Sequence, residues 1–182
     1  LFQGPTMVVL AAIANFLLLM AIGRRRGAPT GLALSTFIAL GIGLHNLGEG
    51  LAIGAAFAAG AAGLGTFLVL GFTLHNITEG IGIAAPILRQ RPPLRAFAAL
   101  TLLAGGPAVL GLWIGSLAYA PQWSALALAI GAGAILQVIV EVVSLQLRAR
   151  GGESRTLVTP MALTGLVAGV GFMYVTAMLV KI

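Results

Sequence analysis

The chain has 182 residues, of which 59% are hydrophobic and only 8% are charged. This composition lies outside the range of ordinary soluble domains and is typical of polytopic membrane proteins, so we expect one transmembrane domain over residues 6–182. The chain has no cysteine, which excludes disulfides and thiolate metal sites. The net charge of +6 does not indicate a nucleic-acid partner, because the basic residues lie in short segments between apolar runs and form no patch.

Residues 1–5 match the recognition sequence of a viral protease that is often placed between an expression tag and a protein. We exclude them from the reasoning about the fold. Cleavage at such a site would leave only Gly4 and Pro5, so the retained first three residues indicate an uncut site. The sequence is therefore expected to begin part-way along a longer polypeptide.

Six apolar segments alternate with short breaks that are polar or rich in glycine and proline. A helix of about 20 residues spans the hydrocarbon core of a bilayer, which is about 30 Å thick. The predicted helices cover residues 6–23, 31–57, 64–88, 96–118, 124–147 and 157–180. The predicted fold class is therefore an all-α polytopic membrane protein with six transmembrane helices in this sequence.

Basic residues lie in alternate connections between the predicted helices. Because cytoplasmic loops carry an excess of lysine and arginine, these connections are predicted to be cytoplasmic. The exception is Lys181, and both ends of the chain are predicted to be external, in a cell inner (plasma) membrane. The nine arginines that set this orientation are Arg24, Arg25, Arg26, Arg89, Arg91, Arg95, Arg148, Arg150 and Arg155.

A hexapeptide of the form His-Asn-x-x-Glu-Gly occurs twice, at residues 45–50 and 75–80, inside the second and third predicted helices. In a helix, a histidine and a glutamate four residues apart share a face. A carboxylate inside a membrane costs several kcal/mol unless it is paired, protonated or bound to a cation. We therefore predict an intramembrane site for a divalent metal ion, made of His45, Asn46, Glu49, His75, Asn76 and Glu79.

The two copies are predicted to be antiparallel, because the second helix runs outward and the third inward. This is an inverted repeat, the arrangement that places transporter sites near the membrane midplane. Nitrogen and oxygen ligands suit zinc, iron(II), manganese or cadmium better than calcium or magnesium. Glycines in the repeat are expected to let the helices approach closely, namely Gly41, Gly50, Gly54, Gly71, Gly80 and Gly82.

With these two motifs the sequence resembles the Zrt/Irt-like protein family, the ZIP metal-ion transporters, whose fourth and fifth helices carry His-Asn-x-Pro-Glu-Gly motifs. The resemblance is strong in both copies and weaker from residue 31 to the end. It implies eight helices, two of them before residue 1, a homodimer, and motif helices that move against a scaffold. It also implies one metal site of His45, Glu49, His75 and Glu79, and an adjacent one of Asn46 and Asn76 with the same glutamates.

The sequence departs from the family pattern in three respects, of which the first is six predicted helices instead of eight. The proline of each motif is replaced, by Gly48 in the first copy and by Thr78 in the second. On the next helix, Ala108 stands where many members have a glutamate that contributes to the second metal site. We therefore expect one principal metal rather than a full binuclear pair.

Glu141, inside the fifth predicted helix, resembles a family glutamate near the cytoplasmic mouth. It is a possible exit ligand or relay for the transported ion. Two other interpretations stay open, a carboxylate that is hydrogen-bonded to Gln137 or Ser144 and a protonated packing residue.

The predicted function is a membrane transporter of divalent transition-metal ions, with zinc as the favoured substrate and no prosthetic group. The alternative is a proton-coupled carrier of a small organic or anionic solute, with the two histidines and two glutamates as a relay. No enzyme is predicted, because intramembrane metalloproteases carry His-Glu-x-x-His and neither histidine here is followed by glutamate. A single His or Asn in an apolar helix more often bonds to another helix, but the duplication favours metal binding.

Overall fold

The computed structural model describes residues 4–25, 30–117, 121–149 and 159–179, and over these residues the chain is helical with no β-strand. The predicted all-α fold class is thereby confirmed, and each helix coincides with one predicted span. The ends of the predicted fourth and sixth spans, at residues 118, 157–158 and 180, lie outside the described residues. The helices are α1 (Gly4–Arg25), α2 (Gly31–Ala58), α3 (Ala62–Ala84, continued by a 3-10 turn over Ala85–Ile87), α4 (Leu94–Leu117), α5 (Pro121–Ala149) and α6 (Pro160–Leu179).

Helices α1 to α5 are long and apolar enough to cross a membrane. In α6 the apolar segment is the shorter Pro160–Val175. Large apolar side chains cover the outside of the bundle, for example Ile81 on α3 and Leu102 on α4, which is 73% exposed. An apolar surface of this extent is unfavourable in water and suits helices that face lipid. The fold and its surface therefore agree with a membrane protein.

Helix α2 is the central element of the bundle. In α2, 17 of 28 residues are buried, compared with three of 23 in α3, so α2 is enclosed on most sides while α3 lies at the edge. The hairpin between the two turns at Gly60, whose φ of +75° is a conformation that favours glycine. At the other end, the Ser35 hydroxyl donates a 2.7 Å hydrogen bond to the Ile83 carbonyl oxygen. The two helices are thus antiparallel along their length.

Helices α2 and α4 pack backbone against backbone and run parallel. A Cβ atom at Gly50 would collide with the carbonyl oxygen of Ala108, and one at Gly54 with that of Leu112. In a membrane, such close contact provides the packing energy that the hydrophobic effect cannot provide between helices. Two glycines of α4 face the α2 backbone in the same way, Gly111 and Gly115.

Pro107 contributes to the same contact between α2 and α4. Proline has no N–H, so the Leu103 carbonyl, four residues earlier, has no helical donor at that position. Gly43 of α2 packs directly against this carbonyl oxygen, where a Cβ would collide with it. The freed backbone oxygen therefore lies against a residue without a side chain, which keeps the two helices close.

Helix α5 packs on another side of α2 and runs antiparallel to it. A Cβ at Gly48 would lie 3.0 Å from the Ala127 carbonyl oxygen. Helix α1 runs parallel to α5 and is bonded to it, since the Asn15 amide donates a 2.8 Å hydrogen bond to the Ile130 carbonyl oxygen. All these directions agree with helices that cross a membrane alternately.

The arginines that the structure describes lie at one end of the bundle. Arg89, Arg91 and Arg95 are exposed where α3 leads into α4, and Arg148 is exposed at the end of α5. Helices α3 and α5 both run antiparallel to α2, so these ends coincide. The side chains of the other basic residues lie outside the described part of the chain, namely Arg24, Arg25, Arg26, Arg150, Arg155 and Lys181.

The expected close packing of the repeat glycines is confirmed on α2 and wrong for two glycines of α3. Gly41, Gly50 and Gly54 all lie against neighbouring atoms, whereas a Cβ at Gly80 or Gly82 would have no atom of the described residues within 4 Å. The physical reason is position, because α2 is central and α3 lies at the edge of the described bundle. Equal sequence in the two copies therefore does not give equal packing.

The two repeat-equivalent glycines provide a direct test of this packing. Gly50→Ala is expected to lower the free energy of unfolding by about 1–3 kcal/mol, because its Cβ would collide with the α4 backbone. Gly80→Ala, the matched control, should leave stability unchanged or raise it by up to about 1 kcal/mol, because alanine is the better helix former. Thermal unfolding in one detergent measures both, and equal effects would contradict the packing.

Candidate metal centre

Side chains of both motif copies meet near the middle of α2 and α3. Within each copy, histidine and glutamate lie one helical turn apart and so point to the same side. The antiparallel hairpin then places the polar face of one copy against that of the other. The structure thereby brings together the two imidazoles and two carboxylates that the sequence singled out.

Glu49 occupies the centre of this group. Its Oε1 lies 3.1 Å from Nε2 of His45 on its own helix and 2.7 Å from Nε2 of His75 on α3. Glu49 is only 3% exposed, so these imidazoles replace water as its polar neighbours. One carboxylate oxygen thus links the two copies of the repeat.

Glu79 lies at the edge of the group. Its Oε1 is 3.9 Å from Nε2 of His45, which is 1.2 Å longer than the equivalent contact between His75 and Glu49. Its Oε2 is buried and has no hydrogen-bond partner among the described residues. Glu79 therefore keeps an oxygen available for another positively charged partner.

The spacing of these atoms suits a transition-metal ion. His45, Glu49 and His75 each offer one ligand atom, and the three atoms lie within 4.8 Å of one another. Zinc bonds of roughly 2.0–2.2 Å in tetrahedral geometry separate neighbouring ligand atoms by about 3.3 Å. The observed contacts of 2.7, 3.1 and 3.9 Å lie on either side of that value. Glu79 would supply the fourth ligand.

Gly48 and Thr78, the residues at the positions that hold proline in ZIP motifs, have separate structural roles. Gly48 lets α5 approach α2, as described above. The Thr78 hydroxyl donates a 2.6 Å hydrogen bond to the carbonyl oxygen of His75, one turn earlier on α3. The Phe72 ring lies edge-on to the His75 imidazole, with 5.4 Å between ring centroids. Thr78 thus bonds the backbone of His75, while Phe72 and Glu49 contact its imidazole.

The group of His45, Glu49, His75 and Glu79 is called the candidate metal centre below. A cleft of about 210 Å³ adjoins it between α2, α3 and α4. Asn46, Asn76 and Glu79 line it, and each has a buried side-chain oxygen without a hydrogen-bond partner among the described residues. The Asn46 amide nitrogen donates a 3.1 Å hydrogen bond to the Ala104 carbonyl oxygen, which fixes the orientation of this side chain. Three oxygens are therefore available to a cation or to water in the cleft.

The cleft leads toward one end of the bundle. It begins beside Asn46 and Asn76 and extends along α3 and α4 to Ala84 and Phe97. That is the end where the exposed arginines of the α3–α4 connection lie. The cleft therefore extends from the His/Glu group toward the arginine-rich end, with its polar side chains near that group and mainly apolar side chains beyond them.

Helix α4 contributes a polar group to the cleft that the sequence reasoning missed. Thr101 lines the cleft, whereas Ala108, where the family has a glutamate, lies against Gly50 of α2. The signal was present in the sequence, because Thr101 is the only polar side chain of α4 between Arg95 and Ser116. A hydroxyl carries no charge, so among the described residues Glu79 is the only carboxylate that lines the cleft.

Glu141 lies apart from this group, where α5 meets α1 and α2. It is 8% exposed, and its Oε1 lies beside Gly23 and Phe37 rather than in the cleft. Among the described residues, neither Gln137 nor Ser144 donates a hydrogen bond to the Glu141 carboxylate. Gln137 is fully buried, and neither of its polar side-chain atoms has a partner there. An exit role for Glu141 stays a prediction.

Removing the central carboxylate tests whether this group binds metal. We expect Glu49→Gln to weaken zinc binding by at least about 100-fold, because a neutral amide loses the charge and the contact with both imidazoles. Glu141→Gln removes a buried carboxylate elsewhere and should leave zinc affinity unchanged. Equilibrium dialysis of the purified variants in detergent gives both affinities. An equal loss in the two variants would show that the effect is not local.

Comparison of the chain with protein-family models, with curated proteins and with solved structures found no match. The chemical interpretation therefore rests on the residues and distances of the centre itself. Those comprise two imidazoles, two carboxylates and an adjoining oxygen-lined cleft, all inside apolar helices.

Proposed function

We propose that the chain is a transporter of divalent transition-metal ions, which cross the membrane through the site between α2 and α3. The observation that carries the proposal is the position of Glu49, a buried carboxylate between two imidazoles with a second carboxylate nearby. Two negative charges in an apolar bundle are costly unless positive charge accompanies them. A doubly positive ion supplies that charge, while neutral imidazoles complete its ligands.

The ligand types favour zinc, followed by iron(II), manganese and cadmium. Imidazole suits these ions, whereas calcium and magnesium take oxygen ligands almost entirely. The likeness of both motifs to those of ZIP transporters points the same way. The ion is the substrate in this proposal and not a resident cofactor.

The reciprocal contacts between the two copies support an inverted repeat. His75 approaches Glu49 and His45 approaches Glu79, across helices that run antiparallel. Such repeats place substrate sites near the midplane of a membrane. The homodimer and the motion of the motif helices, which the family resemblance implies, remain predictions.

The route of the ion follows from the positive-inside rule. With the arginine-rich end in the cytoplasm of a cell with an inner membrane, the cleft leads from the metal centre inward. Three side-chain oxygens in the cleft have no hydrogen-bond partner among the described residues. They would bind an ion that leaves the imidazoles, with lower affinity than the imidazoles do. We therefore assign the inward route to this cleft, and Glu141 is not required for it.

Loss of Glu79 tests transport directly. Glu79→Ala should abolish zinc or cadmium uptake into proteoliposomes, because the centre loses its fourth ligand and the cleft its only carboxylate. Glu153→Ala removes a carboxylate outside the predicted spans and should transport normally. Undiminished uptake by Glu79→Ala in a folded protein would remove the proposal. An organic solute that protects against heat where zinc does not would favour a proton-coupled solute carrier.

Filling the cleft separates transport from binding. A Cβ at Gly105, which lines the cleft, meets no atom within 4 Å, so Gly105→Leu should occupy the cleft without disturbing the bundle. We expect most of the uptake to be lost while zinc affinity in detergent is retained. Gly106→Leu, one residue along but outside the cleft lining, should transport far better. Equal uptake by the two variants would place the route elsewhere.

A further inference from the structure

Helix α5 touches the metal centre through a residue that has no side chain. Gly131 is buried, and a Cβ there would lie 3.1 Å from Cα and 3.2 Å from Nδ1 of His45. The same Cβ would lie 3.3 Å from the His45 carbonyl oxygen. The α5 backbone therefore lies directly behind the imidazole, and a methyl group there would require His45 to shift by a few tenths of an ångström.

The two nitrogens of the His45 ring have different surroundings. Nε2 faces the carboxylates, 3.1 Å from Glu49 and 3.9 Å from Glu79, whereas Nδ1 faces Gly131. The longer of these contacts leaves room at the front of the ring. A group added behind the ring would therefore move Nε2 toward Glu79 and reduce the space between the ligand atoms.

We infer that Gly131 is a positioning residue that sets, through His45, the size of ion that the metal centre accepts. The inference rests on the proposed function, since it takes the His/Glu group to bind an ion. With glycine at this position the ring lies back against α5 and the contact with Glu79 stays long. Cadmium forms longer bonds than zinc, so it depends more on that space.

His75 has different ring neighbours. Its Nε2 lies 2.7 Å from Glu49, and its ring pairs among the described residues are with Phe72 on its own helix and with His45, whose ring centroid is 6.4 Å away. The close contact from the α5 backbone therefore acts on the centre through His45. Outer neighbours that orient metal ligands commonly change metal affinity by about 10- to 100-fold when they are altered.

The experiment compares Gly131→Ala with Gly48→Ala, and cadmium and zinc affinities are measured for each in detergent. Gly48 lies in the same α2–α5 seam and is equally crowded, but its neighbours are backbone atoms of Ala127 and Leu128. We expect Gly131→Ala to lower the affinity for cadmium relative to zinc by about tenfold. Gly48→Ala should lower the melting temperature without changing that ratio. An unchanged ratio in Gly131→Ala, or an equal change in both variants, would overturn the inference.

A double-mutant cycle tests whether the effect passes through the imidazole. In a His45→Ala background, Gly131→Ala should no longer change the cadmium-to-zinc ratio, because the displaced ring is absent. A change that persists without His45 would mean that Gly131 acts only on helix packing, and would overturn the inference. A different result would contradict the proposed function, namely that the unaltered protein binds neither zinc nor cadmium.

The unaltered protein provides a second measurement if Gly131→Ala does not fold. The chain contains only two histidines, so ¹⁵N-labelled imidazoles give few signals and His75→Ala assigns them. We expect a solid-state dipolar contact between Nδ1 of His45 and a glycine Cα, which persists when cadmium is bound. Absence of the contact in the cadmium-bound protein would overturn the inference.

Discussion

The whole arrangement depends on how a buried carboxylate is tolerated among apolar helices. Glu49 is surrounded by helices that a membrane would accept, and its polar contacts are the two imidazoles of the repeat. An unpaired charge in that position would cost several kcal/mol, so the imidazoles and carboxylates have to stay together. The same requirement makes the group attractive to a divalent cation, which neutralises both acids at once.

Precise placement of that group comes from backbone contacts rather than from large side chains. Glycines on α2 lie against α4 on one side and α5 on another, so the helix that carries His45 and Glu49 has little freedom to shift. Helix α3 carries the partner residues but has few buried residues of its own. One half of the centre is therefore fixed by the bundle, and the other half is held mainly at its two ends and by the polar contacts.

Much of the fold and the centre could be predicted from the sequence. The lengths of the apolar segments predicted six helices. The spacing of four residues predicted that His45 shares a helix face with Glu49, and His75 with Glu79. The hairpin then followed from the repeat. These features are local, since they depend on helix periodicity and on the cost of placing charge in an apolar environment.

The features that were missed depend on which helices are neighbours. Gly50 and Gly80 occupy equivalent positions in the repeat, yet only Gly50 meets another helix. Thr101 reaches the cleft and Gly131 reaches the centre because α4 and α5 flank α2, which no spacing within one helix reveals. The neighbours of Glu141 could not be predicted for the same reason, since its Oε1 lies near Gly23 of α1.

Unequal crowding of the two copies has an evolutionary consequence. Larger residues in the first copy would have to displace neighbouring backbone. Amino-acid substitutions there are therefore restricted to residues of nearly equal volume. The second copy borders open space at Gly80 and Gly82, where bulk can be added at little steric cost. Changes in residue size are therefore expected to be tolerated more readily on α3 than on α2.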